Sequence, residues 1–172
     1  MSIILGIDPG SRITGYGVVR MQRHQPVHLA HGCIEVGELP FAQRLCSIFD
    51  ALTTIIAEWR PDEAAIEKVF MNRNVDSALK LGQARGAALV ALAKSGLEVH
   101  EYSPNEIKLA VVGRGHAEKG QIQHMVKTLL ALEANPRADA ADALGIALCH
   151  GQTRQGLQAI KGARRARAGR YL

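Results

Sequence analysis

The chain has 172 residues, 47% of them hydrophobic and 22% charged, proportions that fit one soluble globular domain with a well-buried core. It carries no N-terminal signal pattern, and its longest apolar runs, such as 87–93, fall short of a bilayer span, so no membrane role is expected. Three cysteines (Cys33, Cys46 and Cys149) lack metal-ligand spacing and read as reduced thiols in a cytoplasmic protein, while a net charge of +5 and a pI near 9.4 suggest a polyanionic partner.

The apolar run Ile3 to Ile7 ends in Asp8, and Pro9-Gly10 then turn the chain. A continuous apolar run bounded by turn residues reads as a strand buried on both faces. Burying Asp8 there is costly without hydrogen bonds or a cation. Taken by itself, the stretch fits a turn-capping Asp as well as a cation ligand. Gly15 to Met21 and roughly 27–35 read as two more strands, joined by the short polar link His24-Gln25-Pro26 into an antiparallel meander. Phe41, Leu45, Ile48, Phe49, Leu52, Ile55, Ile56 and Trp59 recur at helical spacing, and Arg60-Pro61 stops that helix.

A fourth strand, 64–69, carries Glu67, and the polar loop 71–75 leads to a helix that Asp76 or Ser77 can cap. Gly82, Ala84, Gly86, Ala87 and Ala88 make this helix small-sided, which suits both the core and a dimer contact. A fifth strand is expected over 97–102. Ser103-Pro104-Asn105-Glu106 then spells a helix start with Ser as N-cap, Pro at the first position and Glu at the third, which assigns Glu106 to capping. A loop over 112–117 precedes a helix of about 118–132, and Asn135-Pro136 opens a last helix of about 138–150. His116 and His124 show no ligand spacing. The domain is placed at 1–153, followed by a basic tail at 154–172. That tail has six cations and no acid, a composition that reads as disordered. Removing its six from 21 Lys and Arg leaves 15 against 16 Asp and Glu, so the body is near neutral. The class is α/β, a mixed five-stranded sheet of three antiparallel strands and then two parallel ones, flanked by helices.

In this topology the first and fourth strands can be neighbours, which brings Asp8 and Glu67 to adjacent strand ends, where α/β sheets usually place ligands. Asp139 and Asp142, spaced i, i+3, project from one helical face. Alone, two acids at a helix N-terminus are explained by the helix dipole, but these sit among alanines, in a segment apolar enough to be half buried. Like charges ~4 Å apart repel by ~4 kcal/mol at an effective dielectric of ~20. Four acids converging there would protonate or recruit divalent cations. Oxygen ligands suit Mg²⁺, with Mn²⁺ as substitute, and two ions per site would activate water and stabilise the leaving oxygen of a phosphodiester.

The ordered motifs Gly6-Ile7-Asp8-Pro9-Gly10-Ser11, Thr14-Gly15-Tyr16-Gly17 and Ile66-Glu67-Lys68-Val69-Phe70 carry a family likeness. So do Asp76-Ser77-Ala78-Leu79-Lys80-Leu81-Gly82-Gln83-Ala84-Arg85-Gly86, Ala117-Glu118-Lys119 and the run Asn135-Pro136-Arg137 to Ala143. Together, from about residue 2 to 150, they resemble the RuvC family of bacterial Holliday-junction resolvases, in the RNase H-like superfamily. The resemblance implies an RNase H-like fold, a homodimer, and paired symmetric nicks across a four-way DNA junction. It also implies a preference for a short cleavage sequence and cooperation with the RuvA–RuvB branch-migration complex. It assigns Asp8, Glu67, Asp139 and Asp142 as the catalytic and metal-binding tetrad, the four carboxylates already singled out. Phe70 would ordinarily be a core residue; the resemblance places it on junction bases, where an aromatic stack contributes ~1–3 kcal/mol. Arg73 and Asn74 beside it are candidates for base-edge contacts. Lys108 and Lys119 resemble the family's phosphate-contacting positions, and Lys80 is a further candidate, with Arg12, Arg85 and Arg114. The tail after about 153 matches no part of the family pattern.

Overall fold

The computed structural model describes residues 1–22, 25–69, 74–113 and 119–168, with side chains described through residue 157 except that of Lys119. In chain order the elements are β1 (Ser2–Asp8), β2 (Ile13–Gln22), β3 (Gln25–Glu35), α1 (Phe41–Trp59), β4 (Glu63–Glu67) and α2 (Val75–Lys94). After these come β5 (Glu98–Tyr102), α3 (Pro104–Val112), α4 (Lys119–Leu129) and α5 (Ala138–Ala168). The sheet order is β3-β2-β1-β4-β5, with the first three strands antiparallel and β4 and β5 parallel to β1. This is the mixed five-stranded sheet expected from the sequence.

β1 is central, and helices cover both faces of the sheet, which is why its apolar run is unbroken. Alternate residues enter different cores. Ile4 packs with Ala65, Tyr102 and residues of α3, α4 and α5, whereas Leu5, Ile7, Ala64 and Ile66 pack with α1 and α2. α1 buries Ile48, Leu52 and Ile56, one residue per turn, and ends at Arg60 in the left-handed conformation, whose N–H donates to Ile56 O at 2.9 Å before Pro61.

Two boundaries differ from expectation. The N-cap of α2 is Asn74, not Asp76 or Ser77; its side chain accepts from the Ser77 N–H at 3.1 Å. A cap lies outside the helix in extended backbone, and the helix begins at Val75, so Asp76 falls inside the first turn, where its charge meets the positive end of the dipole. The last helix does not stop near His150 but continues to Ala168, through most of the stretch whose composition reads as disordered. The Gln, Lys and Arg that lower its hydrophobicity are, like its alanines, strong helix formers, and Arg154 is held by Glu63 at 2.7 Å. α3 starts as expected: Ser103 and Glu106 form the reciprocal capping box, with Pro104 at the first position.

Candidate active site

Parallel pairing of β1 with β4, up to Ile7↔Ile66, brings Asp8 and Glu67 to the next rung of adjacent strands, at their C-terminal ends. Alternation along each strand fixes the face. Gly6 lies directly under α5, and Ala65 belongs to the α5 core, so Asp8 and Glu67, two residues further on, share that face.

Close approach of α5 is what brings Asp139 and Asp142 into the same region. A Cβ on Gly15, the cross-strand partner of Asp8, would lie 2.0 Å from Asp139 O; one on Gly6 would lie 2.1 Å from Ala143 O, and one on Gly17 would meet Leu144 at 2.7 Å. Only bare backbone at these positions lets the helix lie on β1 and β2 with its N-terminus over the strand ends. The alanines around the two acids, Ala140, Ala141 and Ala143, are buried, while Asp139 and Asp142 are half-buried.

Glu67, Lys108 and Asp142 line one cleft of about 270 Å³, walled by Pro104, Ile107, Ile122 and Ile146. Burial pushes the Glu67 carboxyl above the usual glutamate range, Asp142 pushes it further in the same direction, and Lys108 opposes both. A carboxylate that is desolvated and faces another resists ionisation unless positive charge is supplied. Lys108 supplies part of it, and a divalent cation held by oxygen ligands fits the remainder. A larger cleft of about 630 Å³ between β3 and the turn after α4 contains His28, His31 and Glu133 and no such convergence of acids.

Several contacts stiffen the strand ends. Buried Thr14 accepts from the Gly10 N–H at 3.3 Å and donates to Gly10 O at 3.0 Å, closing the turn after Asp8. Arg85, reaching from α2, donates from Nε to Glu67 O at 3.1 Å and pairs through Nη2 with Glu101 at 2.9 Å. The Lys68 N–H donates to Tyr102 O at 2.8 Å. Arg137, just ahead of Asp139, is paired with Glu35 of β3. Sequence spacing pointed to none of these supports, because each joins elements far apart in the chain.

Among the other sequence candidates, Lys108 lies in the acid cleft. Asn74 is engaged as the α2 cap, and Lys80 is exposed and paired with Asp76 at 2.6 Å. Lys119 opens α4, and its side chain, like all of Phe70, Arg73, Arg114 and His116, lies outside the described residues. His124 is exposed on α4.

The family model for the crossover junction endodeoxyribonuclease RuvC matches residues 4–150. The RuvC of Marinobacter nauticus is 62% identical over 155 residues, covering 90% of this chain and 89% of that protein. A Shewanella RuvC is 58% identical over 172 residues, with 99% of each chain covered. Among solved structures, Thermus thermophilus RuvC in complex with Holliday junction substrate superposes with a TM-score of 0.84 at 34% identity, covering 91% of this chain and 97% of that one. Its fold is therefore the same mixed sheet with flanking helices.

Proposed function

The chain belongs to the RuvC family, and from that premise we propose that it is a structure-specific endonuclease that resolves Holliday junctions by paired, symmetric nicks, in recombination and DNA repair. The observation that carries this reading is the half-buried cleft in which Glu67 and Asp142 face one another beside Lys108, with Asp8 and Asp139 on the same face of the sheet.

Asp8, Glu67, Asp139 and Asp142 would hold Mg²⁺, or Mn²⁺ in its place, as two ions per site. When bound, the ions polarise the scissile phosphate, lower the pKa of water and neutralise the leaving oxygen. The chain itself orients these groups. The carboxylates come from three rigid elements, so their mutual geometry is fixed before DNA arrives. Lys108 adds a positive charge where a phosphate oxygen would approach. Hydrolysis by in-line water attack leaves a 5′-phosphate and a 3′-hydroxyl, ends that can be ligated. Phe70 stacks on bases at the junction centre, with Arg73, Asn74, Lys80 and Lys119 as flanking DNA contacts.

A homodimer presents two such clefts to a nearly two-fold substrate. α2 suits the dimer contact: Val75, Leu79 and Val90 are 67%, 63% and 57% exposed, and with Gly82 and Gly86 they fall on one side of the helix. Among the described residues, a Cβ added at Gly82 or Gly86 would meet nothing within 4 Å. The nuclease unit spans 1–153, and the basic segment 154–172 adds phosphate attraction. We assign the protein to the cytoplasm, as a partner of the RuvA–RuvB complex.

The test is a labelled synthetic four-way junction. With Mg²⁺ it should be nicked at paired positions; in EDTA it should be bound and left whole. Asp8→Asn should bind the junction and lose cleavage by more than the ~10–100-fold that outer partners of a metal site contribute. Normal cutting by Asp8→Asn would overturn the site assignment, and binding without cutting by the parent protein in Mg²⁺ would leave a junction-binding module.

A further inference from the structure

The carboxylate cleft occupies one end of the contact between α5 and the sheet. The other end holds a second polar cluster, to which the proposed cleavage assigns no role. Glu63 opens β4, His100 lies in β5, and His150 sits on α5 eight residues past Asp142. Eight residues of helix rise ~12 Å and the four from Glu67 back to Glu63 span ~13 Å of strand, so the two clusters are separated by about that length along one face. The β4–β5 register, Glu63↔Glu98 and Ala65↔His100, puts Glu63 and His100 on the α5 side with Ala65 and Tyr102.

We propose that Glu63, His100 and His150 form a binding site for a zinc-type divalent transition-metal ion, separate from the carboxylate cleft. One ligand atom from each residue lies within 4.8 Å of the others. His150 Nε2 is 2.6 Å from Glu63 Oε2, the contact that a bound ion would replace. The other ring nitrogen, Nδ1, is 2.8 Å from the Tyr102 hydroxyl, which fixes the ring orientation as the outer hydrogen bond of a metal-bound imidazole does. Burial, the largest influence, holds His150 below the usual histidine range, and it is the neutral imidazole that ligates metal. His100 stacks on His150 with ring centroids 4.2 Å apart, and its Nε2 lies 3.6 Å from the exposed Glu98, which stands outside the three-residue cluster and leaves the remaining coordination to water.

Two imidazoles and a carboxylate select Zn²⁺, Co²⁺ or Ni²⁺ over the hard Mg²⁺. Arg154 works against the ion: it holds Glu63 Oε1 at 2.7 Å, leaving Oε2 to face the histidines while adding a repelling charge. Binding would tie β4, β5 and α5 together and stabilise the fold in proportion to the logarithm of free metal.

The experiment titrates the metal-stripped full chain with Zn²⁺ against a chromophoric chelator and follows its thermal midpoint, using Asp8→Asn/Asp142→Asn to silence the carboxylate cleft. Should that double variant fail to fold, the parent in excess Mg²⁺ takes its place. One equivalent should bind and raise the midpoint. His100→Ala, at a part-exposed position, should weaken binding by at least ~10-fold and abolish both the rise and the visible absorption of the Co²⁺-loaded protein. Arg154→Gln should tighten binding several-fold. Absence of one-equivalent binding overturns the proposal. So does unchanged affinity in both His100→Ala and Glu63→Gln, or loss of the site on replacing the other histidine pair, His28 and His31.

Discussion

At the residue scale, the capping box at Ser103 and Glu106 shows local chemistry written fully in four residues. The Ser103 N–H and hydroxyl both donate to Glu106 at 2.7 Å, and these bonds hold the Glu106 carboxyl below the usual glutamate range. A depressed carboxyl contributes stability above its unfolded pKa, about 4.3, and loses it as pH falls through the folded value. Glu106→Ala should therefore cost about 0.3–1.5 kcal/mol near neutral pH, and the gap from the parent should narrow below about pH 4; denaturant unfolding at the two pH values checks this. Glu67 and Asp142 are the contrasting case. Each is visible in the sequence as an acid, but their antagonism exists only because β4 and α5 meet.

At the element scale, α2 joins two tasks. Its inner side packs Ala84, Ala88, Ala91 and Leu92 into the core, and Arg85 reaches from it to the carbonyl of Glu67. Arg85→Ala should lower junction cleavage by ~10–100-fold, the range for residues that orient a metal site's ligands, with junction binding kept and a higher Mg²⁺ requirement. A drop in junction affinity with an unchanged Mg²⁺ midpoint would instead make Arg85 a DNA contact. The outer side of α2 allows a sharper test. Gly82 has open space around it, so Gly82→Ala should stabilise an isolated monomer by about 1 kcal/mol. If α2 faces a second copy, the same methyl obstructs close approach and weakens the dimer. Denaturant unfolding and sedimentation together separate the two effects; stabilisation with an unchanged dimer would move the interface elsewhere.

At the scale of the whole molecule, a nearly neutral body carries a basic C-terminal end. Truncation should begin after Leu157 and not at Arg154, because Arg154 pairs with the half-buried Glu63. Removing 158–172 deletes five cations and no acid. If these contact phosphates, junction affinity should fall mostly at low salt, and the slope of log affinity against log salt should flatten by up to ~0.9 per lost contact. An unchanged slope would mean that the segment does not touch DNA.

Strand and helix order and the α3 cap were legible in the sequence, because periodicity, turn residues and capping chemistry act over a few neighbouring positions. The glycines at 6, 15 and 17 were legible as residues but not as the landing strip for α5, which is a property of two packed surfaces. The length of α5 was misjudged because a basic, alanine-rich segment has the composition of a disordered tail and of a helix at once. Tertiary structure alone decided that Asp142 meets Glu67, that Arg85 braces the strand end, and that His150 reaches Glu63 across 87 positions. Such contacts are set by strand register and by how near a helix can approach a sheet, and neither is encoded in the spacing of the residues that finally touch.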